Sequence, residues 1–523
     1  MSTATERAGA PPGRPAMQLL GAAVGGAALL TPLAVHGQPD GLELSLESQL
    51  IATNNAGQVA GPGARSDLLL DLRPRARLRS LGAGLRADVR VGAIARSYLQ
   101  GTQPNRVEPD VEAQARAEVV EGWVALDGSV RVSAAAADPL SGRTESSTDI
   151  APGTFRQSRV ALAPRLQRDL SPHWTLQAHT EHVWQRSDDP NASAGTREPT
   201  RTEDTLARLE RRPQPAGLSA EVRRQRQKND AAPRGGTVLA IDAVRVGASY
   251  RVLPQLVAGL HGGTERSVYL GRDDDDRIAG ASLDWQPGER VRVRGATERR
   301  FFGQAFDASL AYRSPYLAVS GSWTRQAGLA GSTLGAGAAG SDVAQLLDNL
   351  LTTRVPNPVE RAELVDRLMR ERGLPATLSR ATEIVDQTPQ LVTNGALSLV
   401  LMGVRHTLAL GLYARTAREL TREGEAPLGI GGTDVRQRGA QAVFNRRLTP
   451  TMTLGLAVER ATSRGLGTAA GDVLREWQAR ADLGVALGSR TRATFGLSRQ
   501  LVKSTRAGNR AESRALLGLV QNF

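Results

Sequence analysis

The stretch Ala511–Phe523, AESRALLGLVQNF, ends the chain and decides how the rest is read. Counted back by twos from Phe523, one face carries Gln521, Leu519, Leu517 and Ala515. The other carries Asn522, Val520, Gly518, Leu516 and Arg514, so leucine stands on both faces of a period-two pattern. Period two means strand, because successive side chains of an extended backbone point to opposite sides.

Working outward, the same device recurs. Leu85, Ala87, Val89, Val91, Ala93 and Ala95 alternate with Arg86, Asp88, Arg90, Gly92 and Arg96, and Ile94 is the one misfit. Val244, Val246, Ala248 and Tyr250 oppose Arg245, Gly247, Ser249 and Arg251. Leu408, Leu410, Leu412 and Ala414 oppose Thr407, Gly411, Tyr413 and Arg415. Trp477, Ala479, Ala481, Leu483 and Val485 oppose Gln478, Arg480, Asp482 and Gly484. A parallel core strand would be apolar on both faces, and a helix would mix these two sets on one face. Turn signals such as Gln286-Pro287-Gly288 and Gly488-Ser489 separate segments of about ten residues. About 20 such segments are expected, an even number if both ends lie on one side of a membrane.

Two-faced antiparallel strands in this number predict an all-β fold, a large antiparallel transmembrane β-barrel. One face meets lipid. The other tolerates Arg, Asp, Ser, Thr and Gly because water fills the lumen, and closure pairs every backbone group. An exported soluble sandwich or solenoid explains the alternation but not an aromatic carboxy-terminus. Phe523 is read as the terminal signal for the barrel assembly machinery, and outer-membrane lipid as the surrounding partner. Aromatic residues, 4% of the chain, are sparse for two girdles.

Residues 1–37 read as an export signal, with Arg7 and Arg14 before the apolar stretch Met17–Leu33 and small residues ahead of Gln38. Residues 38–523 then form one barrel domain, interrupted at 341–375 by the only convincing helical region. Val343, Leu346, Leu347, Leu350 and Leu351 make one helical stripe. Asn357, Pro358 and Glu360 announce a second helix that carries Leu364, Val365 and Leu368 and stops before Gly373. This pair either plugs or lines the lumen, docks outside the barrel, or folds over its own loop.

The chain has no cysteine, which excludes disulfides and thiolate chemistry. Its net charge of +13, from 66 Lys plus Arg against 53 Asp plus Glu, is almost all arginine. Nucleic-acid binding is not expected, because these arginines alternate along strands behind an export signal. Eight are candidate lumen-facing residues: Arg86, Arg90, Arg245, Arg251, Arg292, Arg294, Arg480 and Arg492. Pairing with lumenal acids is the plain reading of many, and the surplus would favour anions. No catalytic elbow or phosphate loop is present, and no cofactor or metal set is expected. Asp273–Asp276 reads as an acidic surface turn, and His179 and His182 fall on opposite faces of a strand.

Arg299-Arg300-Phe301-Phe302-Gly303-Gln304 follows a strand with Trp285-Gln286-Pro287 and precedes Ala311-Tyr312-Arg313-Ser314 and Trp323. With Gly373-Leu374-Pro375, Ser66-Asp67 and Arg73-Pro74, in this order and spacing, the chain resembles the outer-membrane β-barrel family associated with the PEP-CTERM and exosortase system. That family is encoded beside exopolysaccharide-export genes. The resemblance implies a channel or envelope component aiding export of an acidic exopolysaccharide, with the export machinery as partner, and no catalytic residues. A general or anion-preferring porin, a closed barrel serving as a secretion scaffold, and an outer-membrane enzyme are the alternatives.

Removing Phe523 should slow membrane insertion and expose the chain to periplasmic proteolysis. Unchanged outer-membrane abundance of the truncated chain would show that the terminal residue is not a signal.

Overall fold

The computed structural model describes residues 41–523 except 83, 137–139, 141–153, 189–198, 230–236, 270, 330–342, 353, 376–377, 379–388 and 425–433. The expected signal, residues 1–37, lies outside the described residues. Twenty-two antiparallel strands form one sheet, from β1 (Gly41–Thr53) to β22 (Gly508–Asn522), and each pairs with its neighbours in sequence. The sheet closes where β1 meets β22, with Ser45 opposite Asn522 and Thr53 opposite Arg514. Phe523 N–H extends this seam by donating to the Leu44 carbonyl at 2.9 Å. Closure leaves no open sheet edge, which an apolar solvent demands.

The count exceeds the expected 20 by two. Hairpins joined by two residues, 270–271 and 301–302, leave little turn signal between strands. Asp273–Asp276 is also not a turn. It opens β12 (Arg272–Gly288), where backbone pairing to β11 (Leu256–Tyr269) extends the hairpin. Four acids are tolerated there because two face each way: Asp273 pairs with Arg266, while Asp274 and Asp276 pair with Arg422.

Exposure assigns the faces. Leu42, Leu44, Val91, Val244, Val246, Leu412, Leu456, Leu517 and Phe523 are all exposed on the outside, as are Trp184, Trp285, Trp323 and Trp477. An exposed apolar surface running round a closed sheet is a lipid belt. The misfit Ile94 is buried on the lumen side, and Leu516 packs there beside Ile51, Leu69 and Tyr98. This accounts for leucine on both faces of the last strand.

The start of β1, the end of β22 and every second connection, each of two to four residues from 82–84 to 487–490, lie at one end of the barrel, whereas the short turns 270–271, 301–302 and 505–507 lie at the other. The long connections, 330–388 among them, leave from the other end. Short turns mark the periplasmic side and long loops the outer surface. Leu456→Arg should therefore destabilise the barrel by about 2–4 kcal/mol, and Gly484→Arg, one strand away on the lumen face, by much less. Denaturant unfolding in lipid vesicles measures both, and equal costs would reverse the assignment of faces.

Candidate functional site: a lumen plug and its ionic anchors

The connection 330–388 joins β15 (Leu317–Leu329) to β16 (Pro389–Met402) at the outer end, yet its helices lie inside the barrel. Helix α1 (Val343–Leu351) buries Val343, Leu346, Leu347, Leu350 and Leu351, the whole predicted stripe. They pack against lumen-facing Ala318, Val400 and Met402, Ala409 of β17 (His406–Glu419) and Val443 of β18 (Val435–Arg447). Wall positions that elsewhere carry Arg or Asp are small or apolar here because a helix covers them. Gly411 shows how close the approach is: a β-carbon there would stand 2.9 Å from Leu378 Cβ of the insertion.

Helix α2 (Pro358–Arg372) starts where predicted, with Asn357 Nδ2 donating to Glu360 Oε1 at 3.3 Å. Arg361 ties it to α1 through Asp348 at 2.7 Å. It ends at Gly373, whose φ of 60° suits glycine, with Leu374 N–H returning to the Met369 carbonyl at 3.0 Å. The helix then meets the far wall through polar groups. Asp366 accepts from Arg79 at 3.0 Å and Arg77 at 3.4 Å, both on β2 (Asp67–Leu81), and also pairs with Arg370. Arg492 donates to the Arg370 carbonyl at 3.1 Å, and Thr453 to that of Glu371 at 3.5 Å. These carbonyls belong to the last turn, where the Arg370 carbonyl otherwise takes only the Gly373 N–H at 3.4 Å, and a cation at a helix C-terminus is favourable.

Arg372 fixes the lower end. It donates to the carbonyls of Gly403 (3.0 Å), His406 (3.2 Å) and Val404 (3.3 Å) and to Thr407 Oγ1 (2.8 Å). Residues 403–405 form a periplasmic turn, so an insertion that enters from the outer end reaches the opposite mouth. Of the placements the sequence left open, the structure shows the helices inside.

The eight arginines have different surroundings. Arg90 pairs with Asp88 and Glu112, Arg245 with Glu221 and Glu298, Arg292 and Arg294 with Asp284, and Arg480 with Asp482. Arg251 donates to the carbonyls of Pro213 and Pro254 at a periplasmic turn, and Arg492 to the plug. Arg86 lines a cavity of about 570 Å³ between the wall from β2 to β7 (Trp174–Ser187) and Ala362 of α2. Sequence reasoning missed Arg77, Arg79, Asp366 and Arg372, which bind insertion to wall. The run Arg73, Arg75, Arg77, Arg79, four arginines on one face of one strand, was the signal available for the first two.

A second ionic centre lies on the lumen wall built by residues 204 to 300. Arg223 pairs with Asp204 at 2.6 Å, Arg245 joins Glu221 to Glu298, and Arg300 binds the buried Glu265 at 2.6 Å. Glu265 also accepts the Phe301 N–H at 3.1 Å. Phe301 and Phe302 thereby turn into the lumen and bury against Leu239, Ile241, Tyr269 and Leu420. His179 lines the cavity of about 280 Å³ beside these charges, whereas His182 stacks on Trp184 outside, so the two are on opposite faces. Among the described residues, no three His, Asp or Glu side chains group as metal ligands would.

A closed 22-strand barrel with a lipid belt and a helical plug defines an outer-membrane β-barrel, and the outer membrane is its location. No protein-family model and no curated protein matches the chain. Among solved structures it is similar to the FrpB iron transporter from Neisseria meningitidis, at 10% identity and a TM-score of 0.47, covering 93% of this chain and 82% of that one. Similarity to the siderophore receptor PirA from Acinetobacter baumannii is 9% with a TM-score of 0.45, over 92% and 80%. For the outer membrane protein OpdK from Pseudomonas aeruginosa the values are 11% and 0.33, over 93% and 100%. At these identities the likeness concerns architecture alone, and the strand count rests on this chain's own ladder.

Burial alone would raise the pKa of Asp366, but Arg77, Arg79 and Arg370 outweigh it and hold the carboxyl below its ordinary value of 3.8. A depressed carboxyl pKa contributes stability that is present above the unfolded value and is lost as pH falls through the folded one. Hydrogen-exchange protection of α2 should thus hold at neutral pH and decline below about pH 4. Asp366→Asn should show the weaker protection already at pH 7 with the barrel still heat-modifiable. Equal protection in both proteins would remove Asp366 as an anchor.

Proposed function

We propose that the protein is a plugged conduit for anionic solutes, with an acidic exopolysaccharide leaving the cell as cargo. The observation that carries the conduit reading is the asymmetry of the plug. One side rests on apolar contacts and the other on ion pairs and hydrogen bonds to the wall. Fully burying a leucine or valine is worth about 1.5–3 kcal/mol, so α1 is held firmly. The Arg77, Arg79 and Asp366 side chains are 16%, 23% and 20% exposed, so lumen water reaches these polar contacts and can replace them when they part. Helix α2 also packs on α1 through Val365, Leu364, Leu368 and Met369, so its release from the polar wall either parts this apolar seam or carries α1 with it.

The anionic preference follows from arginines at the constriction itself: Arg77, Arg79, Arg86 and Arg492 surround α2, and charge in a narrow low-dielectric passage is strongly felt. The polymer cargo rests on the family resemblance of Arg299–Gln304 and its flanking motifs.

Planar-bilayer recording tests the conduit. The wild-type barrel should conduct little, and the double variant Asp366→Asn/Arg372→Gln should open more often and pass chloride over potassium. No added conductance would leave a closed scaffold, and cation preference would overturn the anionic lumen. A deletion strain tests the cargo: normal polysaccharide export with lost uptake of a small anion would leave a porin.

A further inference from the structure

The outward face of four strands changes abruptly at the outer end of the lipid belt. These are β18, β19 (Met452–Gly465), β20 (Val473–Ala486) and β21 (Thr491–Ser504). Along β19, exposed Leu456 and Val458 are followed on the same face by Arg460 and Arg464. On β21, Phe495 and Leu497 are followed by Arg499, Leu501 and Lys503, on β20 Trp477 is followed by Arg475, and on β18 Ala440 by Arg438. Each change takes one step of the pleat, about 7 Å.

Register brings these residues together. Arg438 stands opposite Thr462, Thr462 opposite Arg475, and Arg475 opposite Lys503; Arg460 lies opposite Trp477, and Arg499 opposite Ala479. Three strand spacings separate Arg438 from Lys503, about 14 Å. All six cations are exposed, and among the described residues none forms an ion pair. Every acid of the four strands, Glu459, Glu476 and Asp482, is on the lumen face.

The opposite side of the barrel behaves differently at the same end. There acids share the outward face with the arginines: Arg224 and Arg226 pair with Asp242 at 3.2 and 3.7 Å, Arg266 pairs with Asp273 at 2.6 Å, and exposed Arg277 stands on the same face of its strand as Asp275. A cationic outer rim is therefore not a general property of this chain. Cations directly above lipid-facing Val458, Leu497 and Trp477 cannot sit in hydrocarbon and belong at headgroup height.

We propose that this face is a binding site for the phosphorylated headgroup of an outer-leaflet glycolipid. The lipid's acyl chains would lie on the belt of Leu456, Val458, Phe495 and Leu497, and its phosphates on the six cations. Guanidinium groups suit phosphate because they donate paired hydrogen bonds in a fixed plane. Cations near an anionic lipid surface add to the attraction one by one. The site lies outside the lumen and is independent of the conduit reading.

Native mass spectrometry of the detergent-solubilised full-length barrel, titrated with diphosphoryl lipid A, tests it. The wild type should retain the lipid. The variant Arg438→Gln/Arg460→Gln/Arg475→Gln/Arg499→Gln should bind at least about tenfold more weakly while remaining heat-modifiable. Arg224→Gln/Arg226→Gln, on the opposite side, should bind like the wild type, and dephosphorylated lipid A should bind poorly to all three. Equal retention by the wild type and the fourfold variant, or of both lipids by the wild type, would overturn the proposal. Should the fourfold variant fail to fold, Arg460→Gln alone with the two lipids gives the same comparison.

Discussion

No backbone N–H or C=O can be left unpaired in hydrocarbon, and the rest of this structure depends on that constraint. It forces the sheet to close, and closure requires β1 and β22, more than 400 residues apart in sequence, to meet in register. Once closed, alternation divides every strand between lipid and lumen. A sequence with 40% hydrophobic residues can then cover a lipid belt although, among the described residues, no helix is long and apolar enough to span a membrane. At the height of the lipid belt the charge falls on the lumen side. Arginine is accommodated there because neighbouring strands place Asp or Glu within reach, as Asp284 is for Arg292 and Arg294.

The second constraint concerns the inside. A barrel of 22 strands is too wide for wall side chains to fill. This chain partly fills it with its own connection, and the wall composition follows the occupant. Where α1 lies, the lumen face carries Ala318, Val400, Ala409 and Val443; where α2 lies, it carries Arg77, Arg79 and Arg492. Phe301 and Phe302 do the same work on a smaller scale, covering Leu239 and Ile241 from a hairpin tip that Glu265 holds inward.

The fold was legible because alternation is local. Leu85–Arg96 shows its two faces without reference to any other strand. The strand count suffered where turn signals vanish between 270 and 271 and between 301 and 302. It also suffered where Asp273–Asp276 put like charges on both faces, a pattern that reads as a loop until Arg266 and Arg422 are seen beside it. The helices and their caps were legible too, but not their destination, which depends on pairings such as Arg372 with residues 403–407 that nothing nearby in sequence announces. One readable trace was there. In Leu399–Met402 both faces are apolar, and a strand with lipid on one side and water on the other has no use for that. The arginine list mixed three environments, because a residue's face can be read from parity but its neighbour across the sheet cannot.

Gly411 and Leu378 carry a consequence for how this protein can vary and be built. Most long surface connections can be shortened or exchanged with little effect on the body that bears them. Here the wall has been shaped to its loop, down to a missing β-carbon. A lineage that lost α1 would leave Val400, Ala409 and Val443 facing water, and one that enlarged residue 411 would displace the segment at Leu378. Insertion and wall must therefore change together. In the assembling chain, the hairpin of β16 and β17 has no settled interior until the segment before it has folded in.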